Sequence, residues 1–95
     1  MNKSFIYVIG DNASPYKIGF TKDPNKRLKS LQTGNPSKLN MLYKQEINES
    51  ETKFIEKQIH NVLKRKQVSG EWFDITLEDA ILEVKYAVMK HSKVD

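Results

Sequence analysis

Three groups of residues have types and spacing that can do chemistry. Lys17, Lys22, Lys26, Arg27, Lys29 and Lys38 crowd one stretch in which Asp23 is the single acid. Such a stretch attracts a polyanion, most simply nucleic acid. Arg27 adds a planar fork of donors that stays charged and matches two phosphate oxygens. Glu56 and His60 stand four apart, so on a helix both project from one edge. The carboxylate is a hard oxygen ligand; the imidazole can hold it, relay a proton or touch a phosphate. The lone Trp72, finally, lies between Glu71 and Phe73. A Trp in a small protein usually enters the core, and the alternative is a platform that stacks on an unpaired base. Glu71 is read as an orienting group at most. The plainer readings are solvated lysines, a satisfied helix histidine and a surface ion pair of Glu56 with Lys53 or Lys57.

The frame around these residues is small. The chain has 95 residues, and 16 Lys+Arg against 12 Asp+Glu leave it a net charge of +4. One domain, 1–95, is expected, with a core too small for an enclosed cofactor cavity and a site that is a shallow cleft. The chain contains no cysteine, which excludes disulfides, thiolate metal sites and a cysteine nucleophile. A small domain without such staples fits a reducing cytoplasmic setting. No apolar run approaches the roughly 18–20 residues of a membrane span, so no membrane partner is expected. The N-terminal run Phe5-Ile6-Tyr7-Val8-Ile9 is too short for the apolar part of a signal peptide.

The elements that must position the residues are legible in outline. Residues 5–11 and 16–21 read as two strands joined by the turn chemistry of Asp11-Asn12-Ala13-Ser14-Pro15. Asp23-Pro24 reads as a helix start, and Thr33-Gly34-Asn35-Pro36 as its end. A half-buried strand over residues 39–47 places Leu39, Met41, Tyr43 and Ile47 on one face, with Leu42 and Gln45 breaking the alternation. Asn48 and Glu51 have capping-box spacing ahead of a helix to about residue 66, whose buried stripe is Ile55, Ile59, Val62 and Leu63. Gln67-Val68-Ser69-Gly70 reads as a turn, and residues 71–75 as a short strand or extended segment. Thr76 caps a last helix with Ile81, Leu82, Lys85, Val88 and Met89 along it, and a fraying tail is expected at 91–95. The order is β-β-α-β-α-β-α, an α+β fold.

With the elements in this order, Phe5-Ile6-Tyr7, Lys17-Ile18-Gly19, Arg27 and Glu56 resemble the GIY-YIG nuclease superfamily, in particular its small T5orf172-like branch. Supporting stretches are Tyr16-Lys17-Ile18-Gly19-Phe20-Thr21, Arg27 to Pro36, Glu56-Lys57-Gln58-Ile59-His60 and Gly70-Glu71-Trp72-Phe73. The resemblance covers residues 5–75 and leaves the last helix and tail, 76–95, outside it. It implies a small antiparallel sheet of about three strands flanked by helices. It also implies a one-metal phosphodiesterase site on the sheet face, served by Mg²⁺ or Mn²⁺, with DNA as substrate. Carried over by position, Tyr7 is the first-motif Tyr and Gly19 the second-motif Gly. Arg27 is the phosphate-binding Arg, and Glu56 holds the metal. Lys17 and His60 join this catalytic set. Gly19, as steric clearance for substrate, and Lys26, Tyr16 and Trp72 form the substrate-binding set. A neighbouring cation is needed to lower the pKa of Tyr7 from its usual value of about 10; Lys17 could be that cation or equally contact the phosphate directly.

Three positions depart from the wider pattern: Phe5 for its first Gly, Lys17 for its second-motif Tyr, and Leu31 for a polar residue one turn after Arg27. These departures keep a second reading open, a nucleic-acid-binding module without cleavage. The last helix keeps a third, a protein-interaction domain. Low sequence specificity is expected. Selectivity would come from a targeting partner, a homodimer or a substrate feature such as single strands or branches.

Overall fold

The computed structural model describes residues 2–92. Its elements are β1 (Lys3–Gly10), β2 (Tyr16–Thr21), α1 (Pro24–Gln32), β3 (Asn40–Asn48), α2 (Glu49–Val62), β4 (Gln67–Ser69), β5 (Trp72–Phe73) and α3 (Leu77–His91). A single 3-10 turn, Lys64–Lys66, follows α2. The strands form one antiparallel sheet in the order β3-β1-β2-β5-β4. The α+β class and the helices are as the sequence implied, but the sheet has five strands rather than three. The two added strands are a miniature hairpin. Gly70 takes a positive φ of 53°, which lets the chain reverse tightly enough for Ser69 to pair with Trp72. The stretch read as a plain turn is therefore strand β4.

Strand alternation splits the apolar residues between two faces. Ile6, Val8, Tyr16 and Ile18 face α2 and α3, where they meet Ile47, Ile55, Ile59, Leu63, Phe73, Ala80 and Val84. Tyr7 and Ile9 face the other way, with Leu39 and the partly buried Leu28, Leu31, Met41 and Trp72. Helix α1 covers this second face with no fully buried residue of its own. It starts as the sequence implied: the Asp23 carboxylate accepts the Lys26 backbone N–H at 3.1 Å, and Pro24 sits in the first turn.

Strand β3 departs from its expected single apolar face. Val8 pairs with Tyr43 and Ile9 with Met41, so Leu42 is an extra residue in the ladder. This bulge turns Leu39 and Met41 toward α1 while Tyr43 and Ile47 stay toward α2 and α3. Helix α3 buries Ala80, Val84, Ala87 and Val88 and leaves Leu82 and Met89 exposed. The contact stripe of α3 thus alternates alanine and valine, Ala80, Val84, Ala87 and Val88, which lets the helix approach closely. Val62 is also exposed, because α2 ends there and the chain tightens into the 3-10 turn. Asn48 precedes α2 but makes no side-chain cap, whereas Thr76 accepts the Asp79 N–H at 3.0 Å. The end of the expected fraying tail, 93–95, lies outside the described residues. Among the described residues no helix is long and apolar enough to cross a membrane.

Candidate active site

The site lies where β2 loses its outer neighbour. Strand β5 pairs with β2 only at Tyr16 and Lys17, and the Ile18 N–H then reaches the Glu71 carbonyl at 3.0 Å. Among the described residues no strand pairs with the outer edge of β2 beyond that point, while β1 continues along its inner edge, so groups from both faces of the sheet can meet around the outer edge.

Tyr7 and Gly19 are direct cross-strand partners. The Tyr7 ring is fully buried and lies across Gly19. A methyl group on Gly19 would stand 2.5 Å from the Tyr7 hydroxyl and 2.9 Å from Glu71 Oε1. Within the protein, Gly19 therefore gives clearance to Tyr7 and Glu71. The Tyr7 oxygen accepts a hydrogen bond from Arg27 Nε at 3.2 Å. Arg27 has no ion pair among the described residues, so its terminal nitrogens are left for a ligand. Arg27 lines a shallow cleft of about 200 Å³ together with Lys26, Thr21, Asp23 and Ser30.

Lys17, on the same face as Tyr7 and Gly19, is almost buried. Its ammonium pairs with Glu71 Oε1 at 3.0 Å and lies 5.7 Å from the Trp72 ring centroid. The cation touching Tyr7 is thus Arg27, not Lys17. Burial also outweighs that cation, and the Tyr7 pKa is raised above its usual value. The hydroxyl stays protonated at neutral pH.

Glu56 reaches this cluster from α2. Burial, the Glu71 charge and a hydrogen bond shared with Glu71 push its pKa up to about 7, with Lys17 and Arg27 pulling the other way. The neighbouring Glu71 charge thus disfavours ionisation of Glu56. Glu56 Oε2 is buried and has no hydrogen-bond partner. An orphaned buried carboxylate oxygen beside a second carboxylate fits a hard divalent cation. Mg²⁺ binds through one or two carboxylates and fills its remaining positions with water and substrate oxygens. Among the described residues no group of three or more His, Asp or Glu forms a full protein cage.

His60 and Tyr16 stand apart from this cluster. The Ile18 carbonyl accepts a hydrogen bond at 2.8 Å from His60 Nε2, which must carry the proton. The imidazole ring packs on Phe73 with centroids 5.0 Å apart. His60 thereby caps the free edge of β2 just before Gly19, and no hydrogen bond joins it to Glu56 among the described residues. Tyr16, read as a substrate contact, is corrected by strand alternation: it faces α2 and α3, is 5% exposed and packs over Gly10. Trp72 is half-buried, with one side against the second core cluster. The residue the sequence undervalued is Glu71, which joins Lys17 and Glu56. Its signal was the Gly70 turn, which folds it back against β2.

Comparison with known proteins agrees with the resemblance and extends it through residue 88, over most of α3, which the motifs at 5–75 leave outside. The family model described as the T5orf172 domain matches residues 4–88. No curated protein and no solved structure matches the chain.

Proposed function

Since the chain belongs to the T5orf172 domain family, a GIY-YIG-related family, we propose that it is a metal-dependent endonuclease that hydrolyses DNA phosphodiester bonds. The observation that carries this reading is the convergence of the Tyr7–Arg27 pair and the Glu56–Glu71 carboxylates beside an exposed basic helix. That combination matches what phosphate-ester hydrolysis asks of a protein.

Glu56 would hold the Mg²⁺ or Mn²⁺ ion through its orphaned oxygen, with Glu71 beside it. The bound ion supplies Lewis-acid stabilisation to the phosphate and orients it. The remaining work belongs to the protein. Arg27 presents its free terminal nitrogens to two phosphate oxygens and stays charged throughout. A donor placed where negative charge grows is typically worth about 3–4 kcal/mol of barrier. The Nε bond to Tyr7 fixes the guanidinium plane. Tyr7, fully buried, acts through this bond as a positioning residue for Arg27. Lys17 holds Glu71 in place and offsets the charge that appears when Glu56 ionises. Lys26 and the exposed lysines of α1 track the neighbouring phosphates. His60 acts as a positioning residue through the β2 edge, not as a proton carrier.

The test is cleavage of a labelled single strand and a matched duplex with Mg²⁺, with Mn²⁺ and with chelator, beside a folded Glu56→Ala protein. Metal-dependent cutting that disappears in Glu56→Ala supports the nuclease. Absence of cutting with salt-sensitive binding intact supports the second reading, a binding module. The observation favouring that second reading is Lys17, which stands where the wider GIY-YIG pattern has a tyrosine and is held in an ion pair with Glu71.

A further inference from the structure

A cleft of about 410 Å³ opens next to the site, lined by the apolar Trp72 and Leu39 and by Asp11, Asn12, Ala13, Asn35 and Ser37. We propose that this cleft is a nucleobase subsite that stacks one unpaired base of a single strand on Trp72. The proposal rests on the nucleic-acid reading above and adds the form of the substrate.

Four observations carry it. The cleft is large enough for a small planar ligand, and it joins an aromatic surface to amide and hydroxyl groups that match the edge of a base. Both walls are held in place. The Gln32 side chain donates to the Asn35 and Ser37 carbonyls at 3.2 and 2.8 Å and accepts the Leu39 N–H at 2.7 Å. On the opposite wall, the Ser14 hydroxyl donates to the Asp74 carboxylate at 2.5 Å. The cleft is also contiguous with the phosphate-side groups, because Trp72 pairs with Lys17 across β2 and follows Glu71 in the chain. Lastly, a base paired inside a duplex is stacked on its neighbours and cannot reach a recessed ring, whereas an unpaired or extruded base can.

Trp72 is the chain's one tryptophan, so its fluorescence reports this cleft directly. The intact protein is titrated, in chelator so that nothing is cut, with a thymidine oligonucleotide, its uridine counterpart, an abasic strand of equal length and a duplex. Strong quenching by the base-bearing single strands is expected, with little from the abasic strand or the duplex; the preferred sugar assigns DNA or RNA. Ala13→Phe, a change on the exposed wall, narrows the cleft. It should weaken binding of the base-bearing strand about ten-fold and leave the abasic strand unaffected. Equal quenching by the abasic strand, or an Ala13→Phe protein that binds like the wild type, overturns the subsite. If the subsite fails while Mg²⁺-dependent cutting persists, the nuclease reading stands. Base-dependent quenching without cutting keeps the subsite and removes the nuclease.

Discussion

Gly19 and Tyr7 set the geometry on which the other site residues depend. The Tyr7 ring has no room to move, because it is fully buried and lies against Gly19. Gly19→Ala is expected to cost about 1–3 kcal/mol by overpacking, read as a lower urea midpoint, and to lose cleavage with it. Arg27→Lys should keep the fold, since the side chain is only partly buried. It replaces a fork with a point charge, so kcat is expected to fall about 100-fold with no change in the denaturation midpoint. Glu56 gives a prediction with a sign. Its pKa is about 7 when folded, against 4.5 ordinarily, so between these pH values the folded chain holds more protons than the unfolded one. Its contribution to stability is full below about pH 4.5 and is lost as pH rises through about 7. Glu56→Gln should therefore match the wild type near pH 4 and exceed it by about 1–2 kcal/mol at pH 8, allowing for partial exposure. Wild-type cleavage at limiting Mg²⁺ should rise over the same interval, because ion binding needs the ionised carboxylate.

Element starts were legible in the sequence wherever a local signal is strong. Asp23-Pro24 and Thr76 cap helices as their chemistry requires. Asp23→Ala is expected to cost about 1 kcal/mol and to reduce cutting by loosening the helix turn that carries Arg27; thermal melting and a rate assay read the two effects. Asn48→Ala should change stability by less than about 0.5 kcal/mol, since no side-chain cap is there to lose. The misread features have non-local causes. The β3 bulge at Leu42 is visible in the sequence only as a broken alternation, and its consequence, a change of face, depends on the pairing with Val8 and Ile9. Strand β4 consists of three exposed residues that become a strand only because β5 lies alongside. Within the site, Tyr7, Gly19 and Arg27 were legible as an ordered motif. Glu71 was not, because its partners Lys17 and Glu56 are far from it in sequence. Tyr16 was misplaced for lack of a face assignment.

At the scale of the whole molecule, net charge and its placement dominate. A net charge of +4 with exposed lysines on α1 predicts DNA affinity that falls steeply from about 50 to 200 mM salt; a flat titration would oppose any phosphate-tracking role. The open stretch of β2 has a further consequence, for colloidal behaviour. An unpaired strand edge is a template on which a second chain can add its own strand, and proteins commonly blunt such edges with charge. Here Glu56, Glu71, Arg27 and Lys17 gather around that edge. The groups proposed to cut DNA thus also act as gatekeepers against self-association. At pH 8, Glu56→Gln should then gain stability yet lose solubility, visible as a concentration-dependent increase in sedimentation coefficient that the wild type does not show.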